Sequence, residues 1–312
     1  MPQCIIRNGF ALLGAILIMT GHAAAADIQP GESTSVIAHR GASADAPENT
    51  LAAFRLAAEM NAPWFELDCT LTVDGDVVVI HDTTMDRTTP LSGKVIETPT
   101  AQVIAADAGS WFDAKFADEK VPTLKAVLEY SKNTIGVYIE IKDSGNDHAL
   151  NESLFTMTEG NDSLIPKHKD EVMRRIEASG TVNLELTRKV IQLVRDHNME
   201  KEIVIQSFSP VVCAIALIEA PDLRTEFLAA GSSSNPEQWP NNQRWVRLLN
   251  AHGFNIHKGL ATKALIDEMH KEGRTVAVWT VNGKREMQNL FNMGVDFLIT
   301  DRPDVALEIL SN

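Results

Sequence analysis

Short apolar runs alternate with amphipathic stretches along the chain from about residue 35 onward. The runs have the length of buried strands, and the stretches between them carry apolar residues at helical spacing. The strand candidates are residues 36–38, 64–71, 77–80, 136–141, 203–208, 226–229, 254–257, 275–281 and 295–300. Alternation of strands and helices at this spacing predicts parallel βαβ units.

A tight turn separates the second strand candidate from the third. Asp74 and Gly75 form a pair typical of hairpins, so Leu71 and Val77 are expected to flank an antiparallel reversal. Setting this strand aside leaves about eight parallel strands, which predicts a (β/α)8 TIM barrel. A doubly wound open sheet is the alternative, but no glycine-rich dinucleotide loop follows the first strand.

Two long segments interrupt the alternation. Residues 83–122 follow the third strand and are rich in Thr, Pro and Gly, whereas residues 143–182 follow the fourth and are polar. We therefore expect a small insertion after the third strand and a longer loop after the fourth. In a barrel both would lie on the face that carries active sites. A long loop there either selects substrate or is a surface excursion.

The first 26 residues have the pattern of a secretory signal peptide. Arg7 supplies a positive charge, residues 10–19 are apolar apart from Gly14, and residues 23–26 are small. The apolar run is too short to span a bilayer, which needs about 20 residues. We expect an exported protein, periplasmic or secreted, with one domain over residues 27–312. No later segment resembles a transmembrane helix, so stable membrane insertion is not expected.

The net charge narrows the choice of partner. The chain has 312 residues and a formal net charge of −14, and an acidic surface argues against a nucleic-acid partner. An anionic small molecule is still compatible, provided that positive charge is concentrated locally. The sequence does not indicate an oligomeric state.

Charged side chains cluster on or just after the first four strands. They are His39, Arg40, Glu66, Asp68, His81, Glu140 and Lys142. Residues two apart on a strand point to one face, so Glu66 and Asp68 should converge with Glu140 at the barrel mouth. Three such carboxylates repel each other unless they are protonated, paired or bridged by a cation. Spacing alone leaves two interpretations open: a hard divalent cation, or salt bridges to Arg40 and Lys142.

Two histidines at one site can act as general acid and general base. His39 and His81 each follow an apolar strand, and the ordinary pKa of histidine lies near neutral pH. The alternatives are structural histidines or metal ligands. Arg40 and Lys142 either bind an anionic substrate or only neutralise the carboxylates. Glu48 precedes a helix start and can orient Arg40 or a substrate hydroxyl.

Ordered motifs from about residue 36 to 305 resemble the glycerophosphodiester phosphodiesterase family. They are His39-Arg40-Gly41, Pro47-Glu48-Asn49-Thr50, Glu66-Leu67-Asp68, His81-Asp82, Asp86-Arg87-Thr88-Thr89, Ala108-Gly109-Ser110-Trp111-Phe112, Val121-Pro122-Thr123-Leu124, Glu140-Ile141-Lys142, Ser207-Phe208, Trp279-Thr280-Val281-Asn282, Gly294-Val295-Asp296 and Ile299-Thr300-Asp301-Arg302-Pro303. The resemblance implies a (β/α)8 barrel in which residues 83–122 are the family's insertion. Residues 143–182 match no family pattern, which leaves the choice of alcohol open.

The resemblance also assigns roles to the candidate residues. It implies one divalent cation, Mg2+ or Ca2+, held by Glu66, Asp68 and Glu140. It implies acid–base work by His39 and His81. It places Arg40 and Lys142 on the phosphate, and Phe208 and Trp279 on the glycerol or alcohol side of the pocket. From the residues alone, both aromatics would be core.

The implied reaction is hydrolysis of a small glycerophosphodiester to sn-glycerol 3-phosphate and an alcohol. A related alternative is a lysophospholipase D-type enzyme, which would need an apolar groove for a lipid chain. A third interpretation is a non-catalytic barrel that binds a sugar phosphate. Such a barrel would normally lack one of the histidines or carboxylates, and this sequence keeps all of them.

Overall fold

A computed structural model describes residues 25, 28–157, 163–165, 167–231 and 233–311. Apart from Ala25, the predicted signal peptide over residues 1–26 lies outside the described residues. Within the described ranges, no helix has both the length and the apolarity needed to cross a membrane.

Eight parallel strands close into a barrel. With the antiparallel β3 included, the strands of the described residues are β1 Ser35–Ala38, β2 Trp64–Leu71, β3 Val77–Val79, β4 Gly136–Ile141, β5 Ile203–Ser207, β6 Arg224–Ala229, β7 Gly253–His257, β8 Thr275–Trp279 and β9 Phe297–Thr300. Their order is β1-β9-β8-β7-β6-β5-β4-β2-β3, and β1 also pairs with β2. Ile37 lies opposite both Trp64 and Ile299, so β1 closes the sheet. The predicted TIM barrel is confirmed.

The ninth strand, β3, forms the predicted hairpin. It runs antiparallel to β2, with Leu71 opposite Val77, and Gly75 takes a positive φ of 79° in the turn. Because β3 descends from the mouth, the chain returns to the level of the carboxylates, where Ile80 N donates to Asp68 O at 3.0 Å. His81 therefore reaches the site from a descending strand.

Helices surround the barrel and contribute to its hydrophobic core. They are α1 Leu51–Glu59, α2 Thr100–Val103, α3 Leu124–Ser131, α4 His148–Phe155, α5 Lys169–Ser179, α6 Val182–Asp196, α7 Pro210–Glu219, α8 Gln238–Leu249, α9 Lys263–Lys271, α10 Lys284–Met293 and α11 Pro303–Leu310. At the amino ends of the strands, Tyr138 packs edge-on against Trp64 and Phe297. Aromatic packing thus closes the bottom of the barrel and leaves the mouth for polar side chains.

The segment 83–122 forms a small core with one face of β3. Val77 and Val79 pack with the main core, whereas Val78 and Ile80 pack with Met85 and other apolar residues of the segment. Successive strand residues point to opposite faces, so β3 joins the barrel to the insertion.

The segment 143–182 contains two helices where we expected a polar loop. Both α4 and α5 lie within it, and Leu154, Val172 and Ile176 are fully buried. Val172 and Ile176 are four residues apart and so share one helix face. This narrow apolar stripe is concealed by the polar composition of the rest of the segment.

Candidate active site

Strand pairing brings three carboxylates together in the barrel mouth. Asp68 on β2 lies directly opposite Glu140 on β4, and Glu66 stands two residues before Asp68 on the same face. Their exposed fractions are 1% for Glu66 and Asp68 and 8% for Glu140. One oxygen from each lies within 4.8 Å of the others. The predicted convergence is therefore present.

Two cations only partly balance this cluster. Lys142 Nζ lies 2.7 Å from Glu140 Oε1 and 3.4 Å from Asp68 Oδ1, and Arg40 Nε lies 3.2 Å from Asp68 Oδ2. Glu66 receives the backbone N–H of Arg40 at 3.0 Å, but no described side chain forms an ion pair with it. The predicted salt bridges to Asp68 and Glu140 exist, and they leave the negative charge of Glu66 without an ion-pair partner among the described residues.

The electrostatic environment of each carboxylate follows from this pairing. Burial, together with the charges of Asp68 and Glu140, raises the pKa of Glu66 well above its ordinary value. Burial acts in the same direction on Asp68, but Lys142 and Arg40 outweigh it and hold the pKa of Asp68 at about 2. A buried group of oxygen donors with excess negative charge suits a hard divalent cation. Glu66, Asp68 and Glu140 thus fit the implied metal.

His39 is oriented by an aspartate from the other end of the barrel sequence. Its Nδ1 lies 2.6 Å from Asp301 Oδ1, and Asp301 also accepts hydrogen bonds from Ser43 Oγ and Asn282 Nδ2. With Nδ1 engaged, Nε2 is the ring nitrogen that remains for a substrate. Asp301 follows β9 in a motif noted above, but no spacing rule pairs it with His39, because the two residues are 262 positions apart.

His81 has an equivalent partner. Its Nδ1 lies 2.6 Å from Asp82 Oδ1, and Arg87 Nε donates to Asp82 Oδ2 at 2.6 Å. Arg87 holds the pKa of Asp82 well below its ordinary value, so Asp82 stays ionised. Burial lowers the pKa of His81 from its ordinary value. A neutral imidazole held in this way can accept a proton at neutral pH.

Arg87 connects the two halves of the site. Its Nη1 and Nη2 donate to the two carboxylate oxygens of Glu48 at 2.7 and 2.8 Å, and Glu48 Oε1 accepts from Arg40 Nη1 at 2.9 Å. Charge-assisted hydrogen bonds therefore run from Arg40 through Glu48, Arg87 and Asp82 to His81. The predicted link between Glu48 and Arg40 is confirmed, whereas sequence reasoning assigned no role to Arg87.

Asn49 contacts a candidate metal ligand. It adopts a positive φ of 58°, and its Nδ2 donates to Asp68 Oδ2 at 2.8 Å while Asp68 N donates back to Asn49 Oδ1 at 3.2 Å. Thr50 is the cap of α1, and Asn49 instead fixes the orientation of Asp68.

Phe208 and Trp279 line the cavity that also contains Glu66 and Glu140 of the carboxylate cluster. Their rings are perpendicular, with centroids 5.4 Å apart, and they face a cavity whose wall also contains Arg40, Glu140 and Lys142. Phe208 is 39% exposed. The interpretation from residues alone, that both aromatics belong to the core, is wrong for Phe208, whereas Trp279 is half-buried and also packs against core residues. The resemblance placed them in the pocket wall, where the structure has them.

Comparison with known proteins identifies the family. The sequence pattern of the Glycerophosphoryl diester phosphodiesterase family matches residues 39–305. The chain belongs to this family. It is 31% identical to a glycerophosphodiester phosphodiesterase of Caldanaerobacter subterraneus over 89% of this chain and 98% of that relative.

Solved structures agree with this assignment. An Oleispira antarctica phosphodiesterase in complex with the product sn-glycerol-3-phosphate has a TM-score of 0.71 and 25% identity, over 89% of this chain and 97% of that one. A glycerophosphodiester phosphodiesterase from Agrobacterium tumefaciens has a TM-score of 0.66 and 27% identity, over 88% of this chain and 100% of that one.

Proposed function

We propose that this enzyme hydrolyses small glycerophosphodiesters to sn-glycerol 3-phosphate and an alcohol, with His39 and His81 as the acid–base pair. One observation carries the proposal. Two histidines, each with Nδ1 held by a carboxylate, lie in the wall of one cavity with Glu66 and Glu140 of the buried carboxylate cluster. The product bound to the Oleispira antarctica phosphodiesterase supports the choice of product.

The carboxylate cluster is the proposed site of one divalent cation, Mg2+ or Ca2+. Glu66, Asp68 and Glu140 would supply the oxygen ligands, and Asn49 holds Asp68 in position. When bound there, the cation would neutralise charge on the phosphodiester and the charge that builds in the transition state. Lys142 and Arg40 balance part of the cluster's negative charge through their ion pairs with Asp68. They also offer cationic contacts to phosphate oxygens.

The histidines move the protons. One imidazole removes a proton from the attacking hydroxyl while the other protonates the departing alcohol. If water attacks, sn-glycerol 3-phosphate forms directly. If the neighbouring hydroxyl of glycerol attacks, a cyclic phosphate forms first, and water opens it in a second step in which the two histidines exchange roles. Asp301 and Asp82 stabilise the imidazolium that forms on His39 or His81. Phe208 and Trp279 offer an apolar wall for one arm of the substrate.

Export is also part of the proposal. The positive charge of Arg7, the apolar residues 10–19 and the small residues 23–26 support cleavage of a signal peptide. Fractionation of expressing cells, with sequencing of the mature amino terminus, tests this. An intact amino terminus on cytoplasmic protein would contradict it.

The activity is tested with a panel of substrates. The mature protein is incubated with glycerophosphocholine, glycerophosphoethanolamine, glycerophosphoinositol and a lysophospholipid, with Mg2+, with Ca2+ and with a chelator. We expect sn-glycerol 3-phosphate from at least one of the small diesters, and none after chelation. Turnover of the lysophospholipid alone would favour the lysophospholipase D-type alternative. No product from any substrate with metal supplied would refute both.

A further inference from the structure

A second cavity adjoins the proposed catalytic cavity. The two share His39 and Arg40. We call the second one the alcohol groove, and the rest of its wall consists of Ser43, Ala44, Glu48, Asn282, Asp301 and Arg302. These residues follow β1, β8 and β9 in the chain, so the groove opens at the barrel mouth.

The position of the groove suits the second arm of a diester. A phosphodiester has two ester arms attached to phosphorus, and the two arms extend from the phosphorus atom in different directions. If the phosphate lies at Arg40 and the carboxylate cluster, the cavity lined by Phe208 and Trp279 takes one arm. The groove on the other side of His39 is then open to the second arm. This step rests on the proposed function.

The side chains of the groove determine which alcohol fits. Among the described residues of its wall none is Phe, Tyr or Trp, whereas recognition of a quaternary ammonium group relies on the faces of those side chains. Carboxylate oxygens of Glu48 and Asp301 offer hydrogen-bond acceptors to hydroxyl groups. The wall is therefore suited to a hydroxylated alcohol and poorly suited to choline.

Arg302 provides donors for such an alcohol. Its Nε and Nη2 lie 3.4 Å from the Asp304 carboxylate, a long contact between exposed side chains. Among the described residues, none accepts a hydrogen bond from Nη1. By contrast, Ser43 and Asn282 already donate to Asp301. Arg302 can thus bind a hydroxyl group of the alcohol at little cost to existing contacts.

We propose that the alcohol groove binds the alcohol arm of the substrate and favours a polyhydroxyl alcohol such as inositol over choline, with Arg302 as the residue that determines this specificity. The test compares kcat/KM for glycerophosphoinositol and glycerophosphocholine with the mature, metal-loaded enzyme. The wild type should prefer the inositol substrate. Arg302→Gln should lower kcat/KM for glycerophosphoinositol about tenfold, the effect of one lost hydrogen bond to a charged group. The value for glycerophosphocholine should change less than about twofold by the same reasoning.

A matched control is available at the other end of the barrel. Arg195 makes a similar exposed ion pair, 3.2 Å from Asp222, and its side chain is 42% exposed against 45% for Arg302. Arg195→Gln should leave kcat/KM unchanged for both substrates. As an independent variant, Ala44→Phe narrows the groove and adds an aromatic face, so it should shift the ratio of kcat/KM towards glycerophosphocholine.

The outcomes separate this inference from the proposed function. An equal loss on both substrates in Arg302→Gln would mean that the groove holds the shared glycerol arm, which overturns the inference. Unchanged ratios in both groove variants, or a wild-type preference for glycerophosphocholine, would also overturn it while leaving the proposed function intact. If the wild type turns over none of the small diesters with metal present, the proposed function fails first and the inference falls with it.

Discussion

Arg87 donates two hydrogen bonds to Glu48, although 39 residues separate them in the chain. The same guanidinium donates to Asp82, the partner of His81. One planar group from the insertion therefore positions the residues behind both Arg40 and His81. Lysine has the charge of arginine but lacks its planar fork, so it cannot make the same set of contacts.

We predict that Arg87→Lys lowers kcat about tenfold or more, the order expected when hydrogen bonds to charged groups are lost, with a smaller change in KM. Millimolar guanidinium should restore part of the activity of Arg87→Ala. Steady-state kinetics with and without guanidinium provide the measurement. Arg174→Ala on the exposed face of α5 is the control and should behave as wild type. Normal kcat in Arg87→Lys would show that this network is not needed for catalysis.

The pairing of Asp301 with His39 leads to a second prediction. Burial acts to raise the pKa of Asp301, but the charge and hydrogen bond of His39, together with the hydrogen bonds from Asn282 and Ser43, outweigh burial and keep the pKa below the ordinary value. Asn at this position keeps the shape but can hold the wrong imidazole tautomer. Asp301→Asn should lower kcat at least about a hundredfold without loss of fold. Asp222→Asn, an exposed aspartate of the distant ion pair, is the control. Equal kcat in the two variants would exclude an orienting role for Asp301.

The histidines themselves give a third prediction. His39→Asn and His81→Asn should each reduce kcat by about 10²–10⁴-fold, the usual contribution of a general acid or base. His148→Asn is the control, because that side chain is 80% exposed. Melting temperatures should agree among the variants. Near-normal turnover in either site variant would remove that histidine from the mechanism.

The uncompensated carboxylate gives a fourth prediction, read out by stability instead of activity. Burial disfavours the negative charge of Glu66. A bound cation would lower this energetic cost by balancing the charge. Mg2+ or Ca2+ should raise the melting temperature of the wild type, since a ligand that binds the folded state stabilises it. Glu66→Gln should melt at or above the metal-free wild type and lose most of the metal-induced shift. A full shift in Glu66→Gln would contradict its role as a ligand. Glu185→Gln on α6, with an exposed side chain, is the control.

Local sequence rules predicted much of the barrel and part of the site. The period-two rule placed Glu66 and Asp68 on one face, and the neighbouring strand brought Glu140 beside them. Alternation along the chain predicted the barrel strands. These inferences succeeded because they depend on geometry within one strand or between adjacent strands.

The remaining features depend on contacts between distant parts of the chain. Asp301 meets His39 across a separation of 262 residues, and Arg87 meets Glu48 only because β3 descends towards the cluster. Rules based on the spacing of residues along the chain do not predict contacts between such distant residues. The helices α4 and α5 were missed for a different reason, because a stripe as narrow as Val172 and Ile176 hardly changes the polar composition of the segment.

The pairing of β1 with β9 has a consequence for the order of folding. The first and last strands of the sheet lie side by side, with Ala38 opposite Thr300, and each ends one residue before a member of the His39–Asp301 pair. A chain that has not yet added its last strand to the sheet holds His39 without its carboxylate. The pair therefore assembles only when the ring of strands is complete, so a partly folded chain lacks an oriented His39 and gains it in the same step that joins β9 to β1 and closes the barrel.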